Sequence, residues 1–301
     1  MAQLSLRDLP GWADDDHAAA LTTYLKTAPD DLNARSALPR DACSFFEDTY
    51  AAELVAGSAV LTGYFEPVYE GSLYPDAACQ TPVHALPEGW AEGQAFAARA
   101  EIEDEDLLAG RELAWLKSPL DAYLLQVQGS GRIRTAEGSE LRVGYAGKNG
   151  QPYVSLGKLL VEHGELAADD VSMQAIYDWF EKDPARAMDY LRRNPSYVFF
   201  QRLDDLPPDQ GPIGTSGVPL TAHRSIAVDP EHIALGSLVY LAPLDASIGP
   251  RLCVAQDTGG AIKGPGRTDL FCGTGDGAGA EAGPLLASTA VYRLVPKSAG
   301  A

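Results

Sequence analysis

The segment "AVLTGYFEPVYEG" at residues 59–71 alternates apolar and polar residues as a strand does, but most runs of similar character come only after residue 206. Beyond the loop "DDLPPDQGPIGTSGVP", short strands follow one another as "RSIAVD", "GSLVYLAPL", "RLCVAQD", "TDLFCG" and "STAVYRLV", separated by glycine and proline turns. No helix is expected there, and many short strands with such turns point to a barrel or sandwich. A strand needs neighbours to bury its apolar face, so the early strand is expected to pair with the late ones. That pairing makes 1–87 plus 206–301 one discontinuous domain with N-terminal helices, and 88–205 an inserted second domain. Residues 12–27 and 39–55 read as helices opening on acidic residues. Within the insertion, 99–117 reads as a charged helix, 122–135 and 140–147 as strands, and 155–166, 171–183 and 184–194 as helices.

Charge narrows the function. With 23 basic and 42 acidic residues the chain carries a net −19, which excludes nucleic acid and an anionic membrane surface as main partners. No apolar run of 18 residues is present to span a bilayer. The start "MAQLSLRDLPGWADDD" lacks a signal peptide, which leaves open a cytosolic protein or one whose leader is absent from this chain. Cys43, Cys79, Cys253 and Cys272 allow two bridges in three pairings but show no zinc spacing; buried free thiols are the simpler expectation. The histidines have no ligand spacing and there is no HExxH or GxxxxGK[ST] motif, so no metal and no cofactor is expected. "GTGDGAG" at 273–279 lacks the long helix of a dinucleotide turn, and "GTSGVP" at 214–219 is not a nucleophile elbow.

Carboxylates against strands and glycines remain. Asp229 and Asp257 each end a strand and Asp269 begins one, so all three can meet on one barrel rim. Crowded and partly buried there, one of them would hold its proton near neutral pH and serve as a general acid. The plainer alternative is that each Asp caps a turn. The ribbon "TGGAIKGPGRT" between Asp257 and Asp269 is glycine-rich, which suits a backbone that another group must approach closely.

Six stretches in order, "LTGYFEPVYEGS" (61–72), "YLLQVQGSGRI" (123–133), "VGYAGKNGQPYVSLGKLL" (143–160), "SMQAI" (172–176), "NPSYVFF" (194–200) and "DTGGAIKGPGRTDLFCG" (257–273), resemble the membrane-bound lytic murein transglycosylase A family. The resemblance implies a mainly β fold with flanking helices: a double-psi β-barrel interrupted by a smaller β-rich domain, with a glycan groove between them. It implies a non-hydrolytic enzyme that cleaves the β-1,4 bond between N-acetylmuramic acid and N-acetylglucosamine and leaves 1,6-anhydro-muropeptides. The family's three-aspartate signature falls on Asp229, Asp257 and Asp269, with Asp269 as the single acid/base and the other two in support. Expected glycan contacts are Tyr64, Glu66, Gln126, Gln128, Ser130, Lys148, Gly259, Gly260 and Lys263. Glu66 is alternatively a second carboxylate for hydrolysis or a solvated strand residue, and Tyr64, Phe65, Tyr69 and Tyr145 are alternatively core aromatics. Peptidoglycan strands and other cell-wall enzymes are the implied partners of a monomer held by a lipid anchor on the periplasmic side of the outer membrane. An inverting hydrolase on a similar barrel and a non-catalytic, expansin-like glycan binder are the competing readings.

Overall fold

The computed structural model describes residues 3–38, 41–91, 93–245 and 248–297. The chain forms two units: Met1–Phe65 with Pro208–Ala301, and Glu66–Pro207. The first unit begins with 3-10 turns at Leu6–Asp8 and Trp12–Asp14, then α1 (His17–Thr27), α2 (Leu32–Ala37) and α3 (Ala42–Thr49). The Asp16 side chain accepts from Ala19 N–H at the start of α1, and Asp31 does the same from Ala34 at α2. The helix expected over 39–55 stops at Thr49, because β1 (Tyr50–Glu66) starts there. Residues Tyr50 to Leu54 are in antiparallel register with the last strand, and that pairing outweighs the helical preference of "YAAEL".

The second unit contains β2 (Val68–Ser72), β3 (Thr81–His84), α4 (Arg99–Asp104), β4 (Glu112–Leu116), α5 (Pro119–Gln128), β5 (Ser130–Thr135), β6 (Glu140–Lys148), α6 (Leu156–Glu162), α7 (Met173–Lys182), α8 (Pro184–Arg192) and β7 (Val198–Arg202). Its sheet runs β3-β4-β2-β5-β6-β7. Two expectations fail here for local reasons. The long helix over 99–117 is cut short where Asp106 (φ 50°) and Gly110 (φ 80°) turn the chain into β4. The strand over 122–135 is a helix to Gln128: Ser118 caps it, Pro119 opens it and Gly129 (φ 79°) closes it before β5. The unit begins at Glu66 rather than at 88, because β2 and β3 belong to its sheet.

Glu66 is not solvated. It is fully buried, and its oxygens accept from Arg132 Nε at 2.8 Å and Arg142 Nη2 at 3.0 Å. Arg142 Nη1 also donates to the carbonyl of Pro207 at 2.9 Å. A carboxylate removed from water in this way needs such partners, since an unpaired buried charge costs several kcal/mol, on the order of 3–5.

The first unit resumes with β8 (Ser225–Ala227), β9 (Leu238–Pro243), β10 (Arg251–Asp257), β11 (Arg267–Thr274), α9 (Asp276–Ala282) and β12 (Leu286–Pro296). They close with β1 into a barrel ordered β1-β11-β8-β10-β9-β12, in which β8 and β10 are parallel. The strand near residue 60 does pair with late strands, Ala59 to Thr62 lying opposite Thr289 to Leu286. Val239, Leu241, Cys253 and Ala255 fill the interior with Leu61, Ile226, Leu270 and Val291. Their neighbours Leu238, Tyr240, Leu252 and Val254 face outward under α1 and α3, against Trp12, Leu21 and Phe46. Both faces of β9 and β10 are thus covered, which is why they read as continuous apolar runs. A helix where none was expected, α9, packs Ala278 and Ala282 on Cys272 and Phe65. All four cysteines are free, three of them buried. Among the described residues no helix is long and apolar enough to cross a membrane.

Candidate active site

Strand register brings the aspartates together. Asp257 on β10 and Asp269 on β11 both lie opposite Ala227, the last residue of β8, one on each side. The C-terminal ends of β8 and β10 and the start of β11 therefore share one rim, and Asp229 follows β8 by two residues. Neighbouring strands lie about 4.8 Å apart, so the two flanking backbones are separated by roughly twice that distance.

The three side chains differ in how they are held. Asp229 is buried, and takes Gly264 N–H at 2.7 Å on one oxygen and Glu231 N–H at 3.2 Å on the other. The Gly264 N–H holds its carboxyl below the usual range against the opposing effect of burial; the Glu231 N–H, Lys263 and His232 assist. Asp229 is the turn cap of the plainer reading, and it ties the glycine ribbon to the end of β8. Asp257 accepts from the N–H and hydroxyl of Thr215 at 3.0 and 2.9 Å and from Thr258 N–H at 2.9 Å. Its other oxygen takes the Tyr64 hydroxyl at 2.9 Å. With four donors bound, this carboxylate is committed to holding its surroundings.

Asp269 is the exception. Among the described residues it accepts one hydrogen bond, from Thr62, whose hydroxyl donates to Oδ1 at 2.6 Å. Burial pushes its carboxyl up to about 6; Thr62 and Arg267 oppose the rise and the charge of Asp257 adds to it. It therefore keeps a large protonated fraction near neutral pH and gives up that proton readily, as a group that must act as acid and then base requires.

Tyr64 is placed by the same rim but not as a free platform. Its ring lies 5.4 Å from that of Phe271 and its hydroxyl is spent on Asp257. Burial, with the charge of Asp257, holds the phenol well above its ordinary value, so it remains a donor. Gly259, Gly260 and Lys263 lie on the ribbon between β10 and β11, with Gly260 and Lys263 exposed. The remaining candidates belong to the other unit. Gln126 and Gln128 are in the last turn of α5, Ser130 starts β5, and Lys148 ends β6 with its side chain exposed. The carbonyl oxygen of Gln126 accepts from Arg99 at 2.7 Å and from Val198 N–H at 3.4 Å. Tyr69 packs in the core and Phe65 against α9, whereas Tyr145 is 48% exposed. Thr62, Thr215 and Thr258 were not singled out from the sequence. The signal available was Thr62 at the same strand parity as Tyr64 in "LTGY", and a threonine inside "GTSG".

Residues 60–201 match the family model described as "MltA specific insert domain", and residues 224–295 match the one described as "3D domain". The lytic transglycosylase LtgG of Burkholderia pseudomallei is 37% identical, with a TM-score of 0.68 over 99% of this chain and 95% of that one. This chain belongs to the MltA family. A curated MltA relative, "Membrane-bound lytic murein transglycosylase A" of Vibrio cholerae, is 36% identical over 250 residues, which are 79% of this chain. The match covers 66% of that relative, just under two thirds of its length. The crystal structure of Escherichia coli MltA with bound chitohexaose matches 99% of this chain and 92% of its own at a TM-score of 0.80 and 28% identity. The insert-domain match overlies the Glu66–Pro207 unit, and the 3D-domain match overlies β8 to β12 of the MltA barrel.

Proposed function

We propose that this chain is a peptidoglycan lytic transglycosylase, acting on the β-1,4 bond between N-acetylmuramic acid and N-acetylglucosamine with Asp269 as its single acid/base. The observation that carries the reading is the contrast on the rim: among the described residues Asp229 and Asp257 are engaged by two and four donors, whereas Asp269 accepts from Thr62 and sits near a pKa of about 6. A hydrolase needs a second carboxylate to activate water or to form a glycosyl-enzyme. Here the neutral Asp269 protonates the glycosidic oxygen as the C1–O bond breaks, the muramoyl C6 hydroxyl attacks C1, and its proton returns to the Asp269 carboxylate. Asp257 and Asp229 hold the rim and the ribbon, and Gly260, where a Cβ would meet nothing within 4 Å, leaves space for a sugar. Glycan binding is supported by the relative crystallised with chitohexaose, and a membrane-associated setting by relatives named as membrane-bound; the periplasmic side of the outer membrane is the setting we propose. Gln128, Ser130 and Lys148 are candidate contacts to the glycan or its peptide.

Digestion of purified peptidoglycan in H₂¹⁸O, followed by mass spectrometry, tests the reading. Anhydro-muropeptides without ¹⁸O at C1 are expected, and Asp269→Asn is expected to lose roughly 10²- to 10⁴-fold in turnover while still binding glycan. Reducing ends labelled with ¹⁸O would indicate a hydrolase, and binding with no soluble product a glycan-binding protein.

A further inference from the structure

Thr62 stands between two charged groups on the outer face of the barrel. Its oxygen takes Arg267 Nη1 at 2.9 Å and its hydroxyl donates to Asp269 Oδ1 at 2.6 Å. A guanidinium can only donate, and a threonine hydroxyl has one proton to give. With Arg267 on its lone pair, the Thr62 proton has Asp269 as its acceptor. Oδ1 therefore faces a donor, and a proton placed on that oxygen would meet another proton. We propose that Thr62, oriented by Arg267, is a positioning residue that fixes Oδ1 of Asp269 as an acceptor and confines the transferable proton to Oδ2. This rests on Asp269 being the acid/base, and adds to it which oxygen works.

The consequence is that both half-reactions use one atom. Oδ2 releases its proton to the glycosidic oxygen as the C1–O bond breaks, and the same Oδ2 receives the proton of the C6 hydroxyl as the new C6–O–C1 bond forms. No rotation of the carboxyl is needed between the steps. The other titratable or charged groups facing Asp269 are Asp257 on β10, Arg267 and Cys272 on β11 and Tyr64 on β1. Among the described residues none of these four donates a hydrogen bond to Asp269 that would replace the one from Thr62.

Thr62→Val keeps the shape of the side chain and removes the hydroxyl. Arg267 retains the carbonyls of Val60 at 3.3 Å and Thr268 at 3.1 Å, so no charge is stranded. On purified peptidoglycan the expected result is a fall in kcat of about 10- to 100-fold with KM little changed. The basic limb of the pH–rate profile should move up by about one to two pH units, the scale of a hydrogen bond to a charged acceptor. Thr62→Ser should restore both. If Thr62→Val does not fold, Thr62→Ala decides, because it removes the same hydroxyl from a smaller side chain, leaves the Arg267 charge in place and should move the same limb upward. An unmoved limb in the folded variants, with Asp269→Asn inactive, would overturn the role of Thr62 alone. An active Asp269→Asn would instead overturn the underlying assignment.

Discussion

Replacing Asp269 by Asn should strengthen the fold while removing the activity. The native state holds this carboxyl at about 6, above its ordinary 3.8, chiefly through burial. Between those two values the folded chain binds the proton more tightly than the unfolded one, so this group's contribution to stability falls as pH rises through the window and stays low above it. The full penalty is about 2–3 kcal/mol. Denaturant unfolding at pH 8 should show Asp269→Asn more stable by up to that amount, with the gain gone near pH 3.5; an equal gain at both pH values would contradict the sign. Sequence made the three aspartates visible because strand ends and a glycine ribbon frame them. It did not show which donors each would receive, since Thr215 meets Asp257 and Thr62 meets Asp269 only through long-range pairing. Nor did it show where Glu66, expected as a glycan contact and alternatively as a second carboxylate or a solvated strand residue, would lie: the two arginines that enclose it come from strands many residues away.

At the scale of elements, the short helix α9 explains part of the glycine content that the sequence displays. A Cβ at Gly63 on β1 would lie 2.8 Å from the Cα of Ala282 and 3.1 Å from the sulfur of Cys272. Only a bare backbone allows helix and strand to approach this closely. Gly63→Ala should cost about 1–3 kcal/mol by overpacking, measurable by urea unfolding. Because Gly63 lies between Thr62 and Tyr64, turnover should fall with it. A neutral effect on both would mean that α9 can shift without disturbing the rim. Strands after residue 206 were legible because β-branched runs and turn residues alternate there. The helix in "DGAGAEA" was not, since glycine weakens local helical preference and packing on β1 and β11 supplies the compensation. Within the insertion, α5 was mistaken for a strand although Ser118, Pro119 and Gly129 marked both its ends.

For the molecule as a whole, the buried cluster of Glu66, Arg132 and Arg142 sets the stability of the Glu66–Pro207 unit. Glu66→Ala leaves two guanidinium groups short of their anion and should lower that unit's stability by about 3–5 kcal/mol, read from the fluorescence of Trp115 and Trp179. An unchanged midpoint would mean that water or the nearby Glu140 replaces the lost partner. The discontinuous order of units was legible from one strand stranded far from its fellows, whereas the crossing point was not, because β2 continues the strand-like pattern of β1 almost without a break. Arg142 has a role in time as well as in space. It grips Glu66 through Nη2 and Pro207 through Nη1, the first and last residues of the inserted unit. A chain still unfolded from 66 to 207 must close that span before β1 can find β11 and β12, at an entropic cost about 3 kcal/mol above that of a short loop. Once the inserted unit has formed, a single guanidinium has already brought its two ends together, and the barrel strands behave as if joined by a turn. The inserted unit is therefore expected to fold first and to act as the closing link for the barrel that makes the acid.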